Sequence, residues 1–295
     1  MLNDQETIPN STFCSKELLN FNFMIINIRY LLLSILIALC SIGAAFAQTT
    51  NKFDFARIED NSFLIEEAYN QDPGVIQHIS SFQYMKDHSW IYTFTDEWPV
   101  PGRKHQLSTT IPVLNNGETG LGDILLNYRY QAIYLNRFAF SPRFSLIFPT
   151  GSWQKGLGSG VIGYQLSLPF SFLLSTKIAT HYNFGVTFTP RIKNNDNSRS
   201  DQTVYNYGLS VILLLNKNFN FMFEVVGNRT YQATTNMKTI ITNSLFINPG
   251  FRYAFNFQSG LQIVPGLAVP VGLGSSRGES GVYAYLSFEH PLWKP

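Results

Sequence analysis

The stretch Asp-Ile-Leu-Leu-Asn-Tyr-Arg-Tyr-Gln-Ala-Ile-Tyr, residues 123–134, alternates between two kinds of side chain. Its even-numbered positions carry isoleucine, leucine, alanine and tyrosine, whereas its odd-numbered positions include Asn127, Arg129 and Gln131. A period of two predicts a β-strand with one apolar face and one mixed-polar face. The same alternation returns in residues 138–149 and in later segments up to residue 270. This repetition predicts an all-β protein.

The N-terminal region carries the pattern of an export signal. Arg29 precedes an apolar run at residues 31–39, which is followed by the small-residue sequence Ala45-Phe46-Ala47. This order of a basic region, an apolar region and a cleavage site predicts a signal peptide over residues 1–47, with Met24 as the expected true start. The apolar run is too short for a membrane-spanning helix, which needs about 20 residues. We therefore expect the chain to be exported.

Alternating strands behind an export signal are typical of a transmembrane β-barrel in the bacterial outer membrane. The sequence predicts an antiparallel barrel in residues 74–295, after an N-terminal periplasmic segment at residues 48–73. Ser62–Asn70 has a helix-like composition with Ser62 as N-cap, and could cover or plug the periplasmic mouth. Turn residues divide the barrel into about twelve strands, an even number as such barrels require. The expected strands are residues 74–85, 90–98, 103–113, 122–134, 138–149, 160–172, 176–189, 202–215, 219–229, 239–254, 257–270 and 281–290.

Connection lengths indicate how the barrel is oriented. Short connections and longer polar loops alternate through most of the chain, and outer-membrane barrels have short periplasmic turns and longer outside loops. We therefore expect both ends of the barrel to lie in the periplasm. The short turns are residues 135–137, 173–175 and 216–218, and the long loops are residues 114–121, 150–159, 190–201, 230–238 and 271–280.

Charged residues inside the expected strands fall on the face opposite the aromatic residues. An outward charge near the middle of the bilayer costs about 2–4 kcal/mol, so these side chains are expected to face the lumen. They either form a salt-bridge network that stiffens the barrel or line a pore that selects solutes by charge. Asp123 and Glu224 are the expected partners of Arg129. The candidate lumen residues are Asp123, Arg129, Arg143, Glu224 and Arg252.

The composition narrows the classes of function. A net charge of +2 indicates neither nucleic acid nor an acidic partner. Aromatic residues make up 15% and charged residues 14%, a balance that suits a lipid-facing β surface. Cys14 and Cys40 both precede the cleavage site, so the exported chain is expected to contain no thiol and no disulfide.

The histidines offer the remaining candidates for chemistry. His78 and Ser80 lie two apart on one strand face, as do His181 and Asn183. A hydrolase needs a serine, a histidine and an orienting polar group in reach, and no adjacent strand offers a compelling third group. No histidine or carboxylate cluster has the spacing of metal ligands. We therefore predict no enzymatic activity, no metal and no cofactor. The histidines are His78, His88, His105, His181 and His290.

Several motifs across residues 60–290 resemble one family. They resemble the outer-membrane β-barrel family named for the meta-pathway of phenol degradation. The resemblance implies an exported barrel that admits small hydrophobic or aromatic compounds, and it assigns no binding residue. The motifs are Glu66-Glu-Ala-Tyr-Asn-Gln71, Gly74-Val-Ile-Gln-His78, Gly120-Leu-Gly-Asp123, Ser141-Pro-Arg143, Pro149-Thr-Gly151 and Gly156-Leu-Gly-Ser-Gly160.

The expected function is an outer-membrane channel for passive uptake of small, hydrophobic or aromatic solutes. Its expected partners are membrane lipid, lipopolysaccharide and small-molecule solutes. A structural or surface-interaction barrel with a plugged lumen is an alternative. An outer-membrane lipid hydrolase, which would depend on His78 or His181, is a third and weaker one.

Overall fold

The computed structural model describes residues 61–100, 102–193, 198–233 and 239–292. The predicted signal peptide at residues 1–47, its start at Met24 and the two cysteines lie outside the described residues. Residues 48–60 of the expected periplasmic segment lie outside them too, so the structure bears only on residues 61–73 of that segment.

Twelve antiparallel strands form the described part of the barrel. Eight run without interruption, and four are each made of two or three short pieces. The continuous strands are β1 (Val75–Met85), β2 (Trp90–Pro99), β3 (His105–Asn115), β6 (Gly163–Ser175), β7 (Ile178–Lys193), β8 (Arg199–Leu214), β9 (Phe219–Ala233) and β12 (Gly281–Pro291). The interrupted strands are β4 (Thr119–Leu121, Ile124–Tyr130, Ile133–Tyr134), β5 (Phe138–Phe140, Arg143–Phe148), β10 (Thr239–Tyr253, Phe255–Asn256) and β11 (Gln262–Ala268, Val271–Gly272).

Each strand pairs with its neighbours in sequence, and the last strand pairs with the first. β12 runs antiparallel to β1 from the pair Val75 and Pro291 to the pair Met85 and Gly281. This closure removes the unpaired edges that an open sheet would expose, as a membrane requires. The predicted closed antiparallel barrel of about twelve strands is therefore confirmed.

Helical structure in the described residues is limited to two 3-10 turns, Trp153–Lys155 and Gly274–Ser276. Across the same residues, no helix has the length and apolar character needed to cross a membrane. Both 3-10 turns lie in connections between strands, where they shape loops without adding a layer to the barrel.

The interruptions explain where the predicted strand boundaries were wrong. The expected strand at residues 138–149 is broken at Ser141–Pro142, because proline has no N–H to give to a ladder. The expected strand at residues 122–134 starts earlier, at Thr119, and is broken beside Asp123 and after Tyr130. The expected strand at residues 257–270 begins only at Gln262, because Phe257 donates its N–H to the Leu261 carbonyl at 2.9 Å and closes a turn.

The outer surface of the barrel is a belt of exposed apolar side chains. In β4 the side chains of Leu126, Tyr128 and Tyr130 are each about two-fifths exposed, whereas Arg129 between the two tyrosines is buried. A soluble protein would place such residues in its core, but lipid solvates them on the outside of a barrel. The belt and the closed sheet place this protein in the bacterial outer membrane. Other aromatic members of the belt are Phe82, Phe144, Tyr164, Phe184, Phe188, Tyr205, Tyr207, Phe221, Phe223, Phe251 and Tyr253.

Two neighbouring leucines of β4 provide a test of this belt. Leu126 faces outward, and Leu125 lines a cavity inside the barrel. Leu126→Arg is expected to destabilise the folded barrel by about 2–4 kcal/mol, because the new charge faces hydrocarbon. Leu125→Arg is expected to cost less, because its charge reaches the lumen. Refolding yield into micelles, measured by gel migration without boiling, checks both. Equal yields for the two variants would contradict the assigned faces.

Candidate functional site: the barrel lumen

Residues 61–72, called here the lumen segment, lie inside the barrel ahead of β1. They form bends and extended backbone, so the helical turn expected from the composition of Ser62–Asn70 is absent. A helix this short is marginal on its own, and here the barrel wall competes for its backbone. The Tyr69 hydroxyl donates to the Leu135 carbonyl at 3.0 Å, which places this part of the segment near the short-turn end of the barrel.

The barrel wall binds the backbone of the lumen segment through side chains. These acceptors take the place of a neighbouring strand, so the segment is held without joining the sheet. Because buried N–H groups need hydrogen-bond partners, each contact provides an acceptor for one N–H group of the segment and also fixes the position of the segment. The bonds run from the N–H of Leu64 (2.9 Å) and Ile65 (3.2 Å) to Glu224, from Glu66 to Asn183 (2.7 Å), from Ala68 to Ser171 (2.7 Å), from Asn70 to Gln131 (2.8 Å) and from Gln71 to Gln106 (2.9 Å).

Phe63 anchors the segment through its ring. The ring centroid lies 5.6 Å from those of both Tyr283 and Tyr285 on β12. The same ring covers Gly250 and Gly266, where an added Cβ would approach it to 2.5 Å. Glycine is required at both positions because the ring occupies the space of a side chain. The wall is thus shaped to receive Phe63.

A second apolar anchor follows two residues later. Ile65 is buried, and its Cδ1 lies where a side chain at Gly208 would begin, 2.1 Å from an ideal Cβ. Leu64, between the two anchors, is 36% exposed and lines two lumen cavities instead. The segment therefore alternates between side chains set into the wall and side chains that face open space.

Arg129 and Glu97 form a buried ion pair beneath the segment. The Arg129 guanidinium donates to Asn70 Oδ1 at 2.8 Å and to the carbonyls of Glu67 at 3.0 Å and Tyr69 at 3.2 Å. It lies 3.8 Å from the Glu97 carboxylate. The expectation that Asp123 or Glu224 would pair with Arg129 is therefore wrong. The actual partner carboxylate comes from β2, and the side chains of Arg129 and Glu97 are only 4% and 8% exposed.

Arg143 lies at the edge of the open lumen and joins the segment to the wall. Its guanidinium pairs with Glu66 at 2.6 Å and donates to Asn127 at 2.7 Å. It also reaches Ser145 at 2.6 Å and Gln165 at 2.9 Å. Arg143 borders two lumen cavities, so this ion pair is in contact with open space inside the barrel.

Glu224 and Arg252 are fully enclosed on the opposite wall. Glu224 accepts the two N–H bonds from the segment and a third from Asn248 at 2.7 Å. Arg252 donates to the Asn61 carbonyl at 2.5 Å. Both residues therefore hold the start of the lumen segment and do not face open space.

Asp123 stands apart from the other four candidates. Its carboxylate accepts the N–H of Gly151 at 3.0 Å, and both the N–H and the hydroxyl of Ser159 at 2.7 Å. A side chain at Gly158 would collide with this carboxylate. Asp123 thus holds the two ends of the loop at residues 150–159 together.

Open space in the lumen narrows towards the segment. Two cavities of about 360 and 440 Å³ share Leu64, Ile65, Glu66, Gln83 and Arg143 in their walls. Beyond the segment, a cavity of only about 60 Å³ is lined by Glu67, Gln77 and Glu97 among others. The larger cavities are lined mostly by uncharged groups, including Ser81, Thr93, Thr95, Ser108, Thr110, Leu125, Asn127, Gln165, Ser167, Asn183, Asn206, Val226 and Phe246.

The histidines considered for catalysis have other partners. His181 Nδ1 lies 2.7 Å from Ser171 Oγ, and both residues are buried beneath the segment, where Ser171 also accepts the Ala68 N–H. His78 is hydrogen bonded to Asp96 on the outer face. In the described part of the chain, no three histidine, cysteine or carboxylate side chains are arranged to hold one metal ion together.

A closed antiparallel barrel with a lipid-facing belt and a polar lumen defines an outer-membrane β-barrel protein. Residues 76–270 match the family described as the MetA-pathway of phenol degradation, and the chain belongs to that family. The resemblance drawn from the motifs is thereby confirmed.

Solved structures show the same fold at low sequence identity. The barrel is similar to an outer membrane channel from Pseudomonas putida F1, with a TM-score of 0.57 and 12% identity over 76% of this chain and 97% of that one. It is also similar to the NanC porin, with a TM-score of 0.50 and 10% identity over 73% of this chain and all of that one (100%). No curated protein matches the sequence.

Proposed function

We propose that this protein is an outer-membrane channel for passive diffusion of small solutes, with the lumen segment as its narrowest point. The observation that carries this proposal is the pair of cavities that narrows towards residues 61–72. A channel needs a path that is lined by solvating groups and is narrow enough to discriminate. The likeness to a solved outer membrane channel and to a porin supports the same role.

The proposed solutes are small, neutral and hydrophobic or aromatic. The cavity walls combine aliphatic and aromatic groups with hydroxyl and amide groups, which suits a solute with an apolar body and a polar tip. Glu66 and Arg143 neutralise each other, so the ion pair has no net charge. An ionic solute would therefore lose its hydration in the narrow lumen and meet no unpaired counter-charge there.

A plugged barrel with a structural role is the second candidate, because the lumen segment is bonded to the wall along its length. The hydrolase alternative has less support. Ser171 and His181 are buried at 1% and 3% exposure, which leaves no room beside them for an ester substrate.

Liposome swelling tests the channel against the plug. Purified protein is placed in liposomes, and swelling rates are compared for arabinose, glycine, phenyl glucoside and phenyl glucuronide. The last two are matched in size and differ by one carboxylate. We expect arabinose and phenyl glucoside to enter faster than in empty liposomes, and phenyl glucuronide to lag behind phenyl glucoside. No swelling above the empty control would contradict the channel. Equal rates for the matched pair would contradict the solute preference alone.

A further inference from the structure

Three ionisable side chains meet on the outer face of the barrel, away from the lumen. His290 of β12, His78 of β1 and Asp96 of β2 lie on consecutive strands, with His78 opposite Asp96 in the ladder. His290 is the second-last residue of its strand, so the group lies near the short-turn end. The His78 side chain is 33% exposed. Such a polar group is unusual on a face made largely of lipid-facing aromatic and aliphatic residues.

The hydrogen bonds of the two histidines determine which ring nitrogens carry protons. His78 Nδ1 bonds to the Asp96 carboxylate, and His290 Nδ1 lies 3.4 Å from the Pro291 carbonyl. Both oxygens can only accept, so both contacts are satisfied when Nδ1 of each ring carries the hydrogen, and in that tautomer each Nε2 has a free lone pair.

The two Nε2 atoms lie 3.2 Å apart. The ring centroids are 5.3 Å apart and the ring planes are inclined by 29°, so the two nitrogens are closer together than the ring centres. Two lone pairs at this distance repel each other unless a positive charge lies between or beside them.

We propose that His78 and His290 form a two-histidine site for a divalent transition-metal ion such as Zn²⁺ or Cu²⁺. A tetrahedral ion with bonds of about 2.0–2.1 Å holds two nitrogens about 3.3 Å apart, close to the separation seen here. Imidazole is a preferred ligand of both ions. Asp96 is a positioning residue, because a carboxylate on Nδ1 fixes the ring and raises the basicity of Nε2. Water at the end of the barrel completes the coordination.

Metal titration of the untagged, folded barrel in micelles tests this site. Calorimetry with Zn²⁺ and electron paramagnetic resonance with Cu²⁺ are expected to show one ion per barrel, with two imidazole nitrogens bound to copper. His78→Gln or His290→Gln is expected to abolish this signal. Asp96→Asn is expected to weaken binding by about 10–100-fold. The matched control is His105→Gln on the same face, where His105 bonds to Tyr128 at 2.7 Å, and binding is expected to be unchanged.

A proton shared between the rings is the competing occupant of the gap. In that case wild-type protein and the double variant His78→Gln/His290→Gln would bind Cu²⁺ with equal affinity, and the proposal would be overturned. If a variant fails to fold, Zn²⁺ protection of wild-type His290 against diethyl pyrocarbonate gives the same test. Modification at an unchanged rate in saturating Zn²⁺ would contradict the site.

Discussion

Phe63→Ala is expected to raise the conductance of the channel while leaving the barrel folded. The ring lies between Tyr283 and Tyr285 and covers the two glycines of β10 and β11, so its loss leaves a cavity there. Truncating a buried phenylalanine costs about 3–5 kcal/mol. Phe63 precedes β1 and belongs to no strand, so this loss weakens the docking of the lumen segment and leaves the hydrogen bonds between the strands intact. Each 1.4 kcal/mol changes an equilibrium constant tenfold, so the population of barrels with a detached lumen segment rises by about a hundredfold or more.

Single-channel recording in planar bilayers measures this effect as more frequent or larger openings. Leu64→Ala is the matched control, because Leu64 is the next residue and points into a cavity. Its conductance is expected to rise much less than that of Phe63→Ala, because the lumen segment stays docked. Gly266→Ala adds a methyl group that would collide with the Phe63 ring, so it is expected to displace the lumen segment as Phe63→Ala does. Identical conductance for the Phe63 and Leu64 variants would contradict the anchoring role of Phe63.

Arg129→Gln is expected to be the most destabilising change among the lumen charges. It would leave the Glu97 carboxylate buried without its cationic partner, and breaking a buried ion pair in this way costs about 3–5 kcal/mol. It also removes donors to the carbonyls of Glu67 and Tyr69. A urea unfolding series in micelles measures the loss as a lower midpoint.

Two comparisons isolate the cause of that loss. Arg143→Gln is expected to be milder, because the Glu66 side chain is 28% exposed, against 8% for Glu97, and water can reach its carboxylate. Adding Glu97→Gln to Arg129→Gln removes the stranded charge and is expected to restore part of the stability. If the double variant is less stable than Arg129→Gln alone, the ion pair is not the source of the effect.

The sequence was sufficient for the architecture because strand alternation is a local property. A two-residue period such as that around Arg129 specifies which side chains share a face, and lipid makes the choice of outward face unambiguous. The strand count and the closed antiparallel barrel followed from repeated alternation and turn residues. Strand boundaries were less certain because proline and side-chain bonds to the backbone interrupt the ladder locally.

The lumen was much harder to predict because its contacts join distant parts of the chain. Glu224 binds the backbone of Leu64 from 160 positions away, and no local pattern marks that partnership. Glu97 was missed because one carboxylate in a strand resembles any other until its neighbours are known. Gly266 offered the best available signal, since a glycine on a lumen face can mark a close approach.

Removing residues 49–72 tests whether the lumen segment is the narrowest point of the channel. We expect the wild-type barrel to conduct ions in planar bilayers, and the shortened barrel to fold and to conduct several times more. Conductance equal to that of the wild-type protein would contradict the lumen segment as the narrowest point. A silent wild-type protein beside a conducting shortened one would instead make the segment a plug and contradict the passive channel.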